Sequence, residues 1–436
     1  MNILLLGGSG LIGSALLLTL LDQGYCVTTI SRKAIDGNTR QGIYQLQADI
    51  SHWTEPQDWQ PALAHVDIVI NAVGIFAENA QQSFAALHVA MPTALFAACE
   101  QAGLNGSNSS RSGAPRVIHI SALGADVNAA TEYWRSKGQA DAALIASDLD
   151  WAIVRPSLIY SPNGRSCQQF LQMASWPLLP DLRGCAAVQP VHLDDVIAAI
   201  LALLAAPNQQ VVNLVGPSAM SLSQWLAVLR AGMGLPATIN LPVYGWMQDI
   251  AAAATQYLPG SLFSPTSLAM LRAGNVADTA PLAKLLRHSP KAAASDVKGS
   301  SDAALSEGLA AIAQLGWLVP LLRYTMAAVW LITAMVSTIN WPQSLALLAQ
   351  LGIAESLQWP LLLGAIGCDL ALGVSCLMSR WRSWKLQIAL VLLYSALISW
   401  GLSEYLLHPF GPILKNLPIL AVLLLLDQCE QPHDKR

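Results

Sequence analysis

The chain has 436 residues, of which 54% are hydrophobic and only 11% charged, and its formal net charge at pH 7 is −4. An average soluble protein carries roughly 25% charged residues, so a disordered chain is excluded. A nucleic-acid-coating surface is excluded too, because it needs a basic excess. A mean hydropathy of +0.45 demands either a very large core or a bilayer to take up the apolar surface.

The N-terminus carries no Lys or Arg before a very short apolar run, Ile3–Leu6, which stops at Gly7-Gly8. That is not the pattern of a secretory signal, so the first residues are expected to stay in the cytoplasm. Asn2–Leu6 reads as a buried parallel strand and Leu11–Leu21 as a helix. Further strands are expected at Cys26–Ser31, Val66–Asn71, Arg116–Ser121 and Trp151–Arg155. Ala- and Leu-rich helices lie between and after them, at Phe84–Ala102 and Val196–Ala205. Strands alternating with helices predict βαβ units and a doubly wound parallel sheet. Gly103–Pro115 reads as a surface loop, and Ser289–Ser306 is low in complexity and is expected within a linker. Seven cysteines without a CxxC pair give no metal spacing, and no metal site is expected.

The strongest local signal is Gly7-Gly8-Ser9-Gly10-Leu11-Ile12-Gly13, placed between the first strand and the first helix. Glycines at that spacing permit a tight turn, a close pyrophosphate and a helix packed on the strand. The helix N-terminus adds free N–H groups and a positive dipole end. The end of the second strand selects the cofactor. A carboxylate there would bind the ribose 2′-hydroxyl of NAD. This chain has Ser31-Arg32-Lys33 instead, which favours NADP(H) over NAD(H).

With these residues in place the chain resembles a short-chain dehydrogenase/reductase of the extended or atypical type. Asp49-Ile50, Asn71-Ala72-Val73-Gly74, Ser121, Tyr133 and Lys137 in a YxxxK pattern, Arg155-Pro156 and the stretch Val191–Val196 carry the resemblance across roughly residues 1–217. Gly274–Asp278 resembles, more closely, the branch containing the nucleotide-binding accessory subunit of respiratory complex I. The resemblance implies a cofactor held by Gly7, Ser9, Gly10, Leu11, Ile12, Gly13, Ser31, Arg32, Lys33, Asp49, Ile50, Asn71, Ala72, Val73, Gly74, Lys137 and Pro156. It implies Tyr133, Lys137 and Ser121 as catalytic residues. Tyr133 and Lys137 are four apart and share one helix face. The ammonium is expected to lower the phenol pKa, so that Tyr133 exchanges a proton with a substrate oxygen. Ser121 is expected to donate a hydrogen bond to the same oxygen. His192 is expected to be structural, and Asp194 or Asp195 to cap the following helix.

Seven of the 14 Trp lie beyond residue 316, with four long apolar stretches at about Pro320–Ile339, Trp359–Ser379, Trp384–Ser403 and Pro409–Leu426. Each approaches the ~20 residues that a bilayer crossing needs. The basic stretch Arg380–Lys385 lies between the second and third, whereas Asn340–Gln358 has no Lys or Arg. The positive-inside rule then puts the basic loop, both termini and the nucleotide part in the cytoplasm. These segments resemble the DoxX-like membrane family through Cys368–Gly373 and His408–Pro418. Charges inside such spans are costly and need a partner or a purpose. Asp369, Lys415 and Glu404 are expected to form a polar site, and Arg323 to snorkel.

The expectation is therefore an α/β Rossmann domain at 1–288, a linker at 289–316 and an all-α four-helix transmembrane domain at 317–436. The expected protein is a multi-pass inner-membrane NAD(P)(H)-dependent oxidoreductase acting on a small lipophilic carbonyl or quinone-like substrate. The expected partners are the lipid bilayer and that substrate, without nucleic acid. A nucleotide-sugar epimerase or dehydratase, with Arg165 and Arg183 as phosphate partners, is a second reading. A non-catalytic dinucleotide-binding assembly or redox-sensing protein is a third.

Overall fold

The structure is a computed structural model describing residues 1–32, 42–104, 113–206, 209–255, 263–293, 303–378, 383–401 and 414–430. The chain divides into two compact units, Met1–Ala313 and Gln314–Arg436.

The first unit is built on seven parallel strands. They are β1 (Asn2–Leu6), β2 (Cys26–Ser31), β3 (Ile43–Gln47), β4 (Ile68–Asn71), β5 (Arg116–Ile120), β6 (Trp151–Pro156) and β7 (Gln210–Leu214). Their order across the sheet is β7-β6-β5-β4-β1-β2-β3. The order reverses between β1 and β4, which are paired from Ile3–Ile68 to Leu6–Asn71. In such a sheet the crevice at the carboxyl ends of these strands receives the ligand. Both glycine turn and Asn71 open onto it.

The sheet is buried on both faces, which explains its continuous apolar strands. Side chains alternate in β1: Ile3 and Leu5 join one core, Leu4 and Leu6 the other. The first core takes helices α1 (Leu11–Asp22) and, later in the chain, Leu193–Leu204; the second takes α2 (Pro56–Leu63), α3 (Met91–Leu104) and α4 (Glu132–Ile145). Each fully buried Leu or Ile contributes roughly 1.5–3 kcal/mol. The two edge strands, β3 and β7, were not foreseen. β3 leaves most of its residues exposed and β7 is only partly covered, so neither presents an apolar run.

A second lobe follows β6. It contains α5 (Arg165–Ala174), α6 (Leu193–Leu204), α7 (Leu222–Gly232), α8 (Gly245–Thr255), α9 (Pro265–Ala273) and α10 (Ala280–Leu286), of which α6 and α10 pack back on the main sheet. Two small parallel pairs complete it, Ile159–Tyr160 with Val191–His192 and Leu179–Leu182 with Asn240–Val243. Its own core centres on Trp225, Tyr160, Leu226 and Leu229. The α6 cap differs from expectation. Helix α6 begins at Leu193, so His192 caps it by accepting the Asp194 N–H at 3.1 Å on Nδ1. Asp194 and Asp195 lie in the first turn, where they bind the side-chain and backbone nitrogens of Lys291 at 2.8 and 2.6 Å.

The remaining helices are α11 (Ala303–Ile339), α12 (Trp341–Gln350), α13 (Glu355–Leu377), α14 (Trp384–Gly401) and α15 (Asn416–Cys429). Residues 303–316, expected within the linker, are helical. Among the described residues three helices are long and apolar enough to cross a membrane: Glu307–Ile339, Glu355–Leu377 and Trp384–Gly401. Of the fourth expected span, Pro409–Leu426, the structure describes the part from residue 414, where α15 covers Asn416–Cys429. Residues 402–413, the start of that expected span, lie outside the described residues, as do Glu404 and residues 379–382 of the basic loop. Within this unit Trp341 and Trp359 pack with ring centroids 5.0 Å apart.

Candidate functional site

The glycine turn is too tight for side chains. Gly7 has φ +77°, and a Cβ there would lie 2.7 Å from the Ala72 carbonyl oxygen. A Cβ on Gly13 would lie 2.0 Å from the Gly7 oxygen, which is how closely α1 packs on the turn. The turn itself is closed by Gly10 N–H donating to Gly7 O at 2.9 Å. Gly10 is the N-cap of α1 and brings no side-chain acceptor to the helix. The first-turn N–H groups around Ser9, Leu11 and Ile12 are therefore left for a ligand. This cradle fits a dinucleotide pyrophosphate.

Ser31 ends β2, and Arg32 follows it, exposed. Asp49 is exposed as well, and its Oδ1 accepts from Ser51 Oγ at 2.7 Å and Ser51 N at 3.1 Å in the short turn that begins at Ile50. These bonds, and less strongly the Arg32 charge, hold the Asp49 carboxyl below its ordinary range. Lys33 lies outside the described residues. Pro156 ends β6, buried beside Leu214 of β7.

Asn71, Ala72, Val73 and Gly74 continue from β4. Asn71 is buried, accepts the Val73 N–H at 3.1 Å and hydrogen-bonds His119 Nδ1 at 3.2 Å. Burial and nearby cations keep His119 well below its ordinary pKa, so its ring is neutral. With Nδ1 accepting from the Asn71 amide, the ring proton sits on Nε2, 3.8 Å from Asp141 Oδ1. Asp141 in turn receives Arg155 Nη2 at 2.7 Å, Arg155 Nε at 2.9 Å and Ser121 Oγ at 2.9 Å on Oδ2.

The Ser121 hydroxyl, expected to donate to a substrate oxygen, donates in the structure to the buried Asp141. The network of His119, Asp141 and Arg155 escaped sequence reasoning because its members lie on three separate elements.

Tyr133 and Lys137 do share one face of α4. Lys137 is buried and donates from Nζ to Val73 O at 3.2 Å and Ile120 O at 3.1 Å. The ammonium therefore bridges the carboxyl ends of β4 and β5, and one of its three N–H donors remains for a ligand. Burial brings its pKa down to about 8. Tyr133 is surrounded by rings: Phe76 at 5.5 Å, Phe84 at 6.0 Å and His88 at 5.7 Å between centroids. Burial pushes its phenol up to about 12. The expected lowering by Lys137 is thus not seen in the protein alone. The ammonium is aimed at two carbonyls, and the apolar rings disfavour a phenolate.

His88 was also missed. It is buried at the end of a π-helical turn, Ala85–Ala90, and accepts the Ile75 N–H on Nε2 at 3.0 Å. Its Nδ1 therefore carries the proton and donates to Ser136 Oγ at 3.0 Å, which donates to Tyr133 O at 2.9 Å. His88 ties the loop after β4 to helix α4. Its sequence position gives no signal, because Ile75 and Ser136 are distant in the chain.

In the membrane unit Asp369 is 4% exposed and does not face lipid. It lies near Tyr394, and its Oδ1 has no hydrogen-bond partner among the described residues. Lys415 stands exposed immediately before α15. Arg323 does not snorkel freely. Its guanidinium lies 3.5 Å from Glu430 Oε1 and 5.2 Å from the Tyr324 ring centroid.

Fold and site together define a dinucleotide-binding Rossmann domain of the short-chain dehydrogenase/reductase kind, followed by an apolar helical unit. Comparison with known proteins agrees. Residues 3–215 match the NAD dependent epimerase/dehydratase family, and residues 327–424 match the DoxX-like family. The chain thus joins an N-terminal epimerase/dehydratase-type domain to a C-terminal DoxX-like domain.

A Dictyostelium discoideum protein, NADH dehydrogenase (ubiquinone) 1 alpha subcomplex subunit 9, mitochondrial, is 24% identical over 185 residues, 42% of this chain and 49% of that protein. A ceramide reductase from Caulobacter vibrioides is 30% identical over 109 residues, 25% of this chain and 34% of that protein. The chain spans about half, or less, of the length of these curated relatives. Among solved structures, a nucleoside-diphosphate-sugar epimerase from Staphylococcus aureus is 16% identical, covers 68% of this chain and 100% of that one, and has a TM-score of 0.54. UDP-glucuronic acid 4-epimerase from Bacillus cereus in complex with NAD is 18% identical, covers 70% and 98%, and has a TM-score of 0.50. These likenesses establish the fold.

Proposed function

We propose that this protein is a membrane-anchored NAD(P)(H)-dependent oxidoreductase that reduces a lipophilic carbonyl compound or oxidises the corresponding alcohol. The observation that carries the reading is the surround of Tyr133. Its phenol, the proton-transfer group, is walled by Phe76, Phe84 and His88 and stands one helical turn from a buried ammonium. That setting suits an apolar substrate better than a diphosphate sugar. Of the two arginines expected as phosphate partners, Arg183 is paired with Asp181 at 2.8 Å. The relative named ceramide reductase supports a lipid-type carbonyl.

The dinucleotide, when bound, supplies or accepts the hydride. The glycine turn and the N-terminus of α1 would hold its pyrophosphate. Arg32 favours a 2′-phosphate, hence NADP(H). The remaining N–H of Lys137 would hold a ribose hydroxyl. Tyr133 gives its proton to the substrate oxygen during reduction and takes it back during oxidation. Its high pKa in the protein alone keeps it protonated, the form that reduction requires. We further propose that the dinucleotide domain is cytoplasmic, on the side of the basic stretch Arg380–Lys385, where coenzyme is supplied. Asp369 and Lys415, with Glu404, are proposed to form a polar site among the membrane helices.

The test is turnover by the purified full chain in detergent. Loss of NADPH absorbance is followed with long-chain ketones, aldehydes and quinones. A lipophilic carbonyl should be turned over, and Tyr133→Phe should lower kcat at least a hundredfold while coenzyme still binds. A second reading, a nucleotide-sugar epimerase or dehydratase, is favoured by the family match. Turnover of UDP-sugars without net coenzyme consumption would establish it instead.

A further inference from the structure

The loop that follows β4 is fastened at both ends beside Tyr133. Near its start the Ile75 N–H donates to His88 Nε2 at 3.0 Å, and at its end the Phe84 N–H donates to Glu78 Oε1 at 2.6 Å. Between these points Asn79 and Gln82 pair backbone to backbone at 3.0 and 3.2 Å, and the Gln81 N–H donates to Asn79 Oδ1 at 2.9 Å. The loop enters through a narrow gap: a Cβ on Gly74 would lie 3.2 Å from Lys137 Nζ and 3.8 Å from His88 Nε2. Phe76 follows Ile75 directly and is held by these fastenings.

Phe76 differs from the other two rings around Tyr133. Phe84 and His88 are buried and belong to the packing. Phe76 is 41% exposed, although its centroid lies only 5.5 Å from that of Tyr133. A lone exposed ring on a protein surface means little. This one stands on a fastened loop, in contact with the proton-transfer phenol, so whatever Tyr133 protonates lies beside it.

His88 sets the two rings relative to each other. Its Nε2 holds the residue before Phe76, and its Nδ1–H holds Ser136, one helical turn after Tyr133. It also stacks on Phe84 with centroids 5.1 Å apart. The ring is carried by the π-turn Ala85–Ala90, a rare geometry that is frequent at functional sites.

We infer that Phe76 determines the specificity of the Tyr133 site by receiving the aliphatic chain of the substrate on its open surface, and that His88 is the positioning residue that holds it there. The inference rests on the proton-transfer role proposed above for Tyr133.

The test uses the full chain in detergent with NADPH, with 4-fluorophenylalanine at position 76 as its sole fluorine. Fluorine NMR follows the label as 2-dodecanone, 2-butanone or UDP-glucose is added. 2-Dodecanone should shift the resonance saturably, and the other two should not. His88→Ala should abolish the shift. His88→Gln, whose amide still accepts the Ile75 N–H, should restore it. In turnover Phe76→Ala should raise KM for 2-dodecanone about tenfold, with kcat and coenzyme affinity within about twofold of wild type. Phe76 is exposed, so its truncation is read without the folding cost that His88→Ala carries. No shift with 2-dodecanone, an equal shift with UDP-glucose, or a His88→Ala protein that responds like wild type each overturns the inference. Turnover of 2-dodecanone that is indifferent to Phe76→Ala also overturns it, while the proposed reaction stands. A saturable, His88-dependent shift without turnover has the opposite meaning: the chain-binding surface is upheld and the reaction is not.

Discussion

Acidification should weaken the nucleotide domain through His88. The buried ring is held neutral, because desolvation, with help from Lys137, lowers its pKa from 6.5 to about 3. The unfolded chain binds a proton at pH values below about 6.5, and the folded chain only near 3. The stability that His88 contributes is therefore complete above about pH 6.5 and is lost as pH falls toward 3. At pH 5 the loss is 1.5 pH units at 1.36 kcal/mol each, about 2 kcal/mol, and its ceiling near pH 3 is about 5 kcal/mol. For a unit of about 313 residues, unfolding entropy of about 2.1 cal/mol/K per residue makes 2 kcal/mol worth about 3 °C in melting temperature. The comparison is between the full-length protein and His88→Gln, whose amide still accepts the Ile75 N–H but cannot take up a proton. Melting is followed in detergent at pH 7.5 and pH 5. Wild type should lose several degrees more than the variant on acidification, since His119 acts equally in both. An equal drop in the two proteins would refute the reasoning.

Three other outcomes are expected. Gly13→Val places side-chain atoms against the Gly7 carbonyl, where even a Cβ would be 2.0 Å away. It should cost about 1–3 kcal/mol of stability and abolish coenzyme binding in calorimetry, while Gly308→Ala, with open space around it and no positive φ, keeps binding intact. Arg32→Glu should weaken NADPH relative to NADH by about 10- to 100-fold, the worth of one charge-assisted bond of ~1.5–3 kcal/mol; an unchanged ratio of dissociation constants would remove Arg32 from the site. Asp369→Leu should lower the melting temperature in detergent, because it leaves the Lys415 cation of the proposed polar site without its carboxylate. An equal or higher melting temperature would show that Asp369 has no such partner.

Much of the site was legible because short-range geometry determines it. Gly7, Gly10 and Gly13 mark a turn whose backbone contacts are local. Tyr133 and Lys137 meet because a helix repeats every 3.6 residues. The interior strands were legible because two-sided burial requires continuous apolar runs. β3 and β7 were not, since an edge strand needs apolar residues on only part of its surface. His88, His119 and Asp141 gave no local sign, because each acts through partners 13 to 48 residues away.

What the amino-acid sequence alone determined is the division into a dinucleotide domain and an apolar helical unit, together with the position of the coenzyme turn and of the Tyr–Lys pair. These follow from composition, periodicity and steric demands that act within a few residues. Tertiary structure alone decided where hydrogen-bonding directions point. It turned the Ser121 hydroxyl toward Asp141, aimed the Lys137 ammonium at two strand-end carbonyls, and ringed Tyr133 with aromatic side chains. It also rotated α8 so that Gln248 is buried and donates to the Arg183 and Val243 carbonyls while Trp246 is exposed.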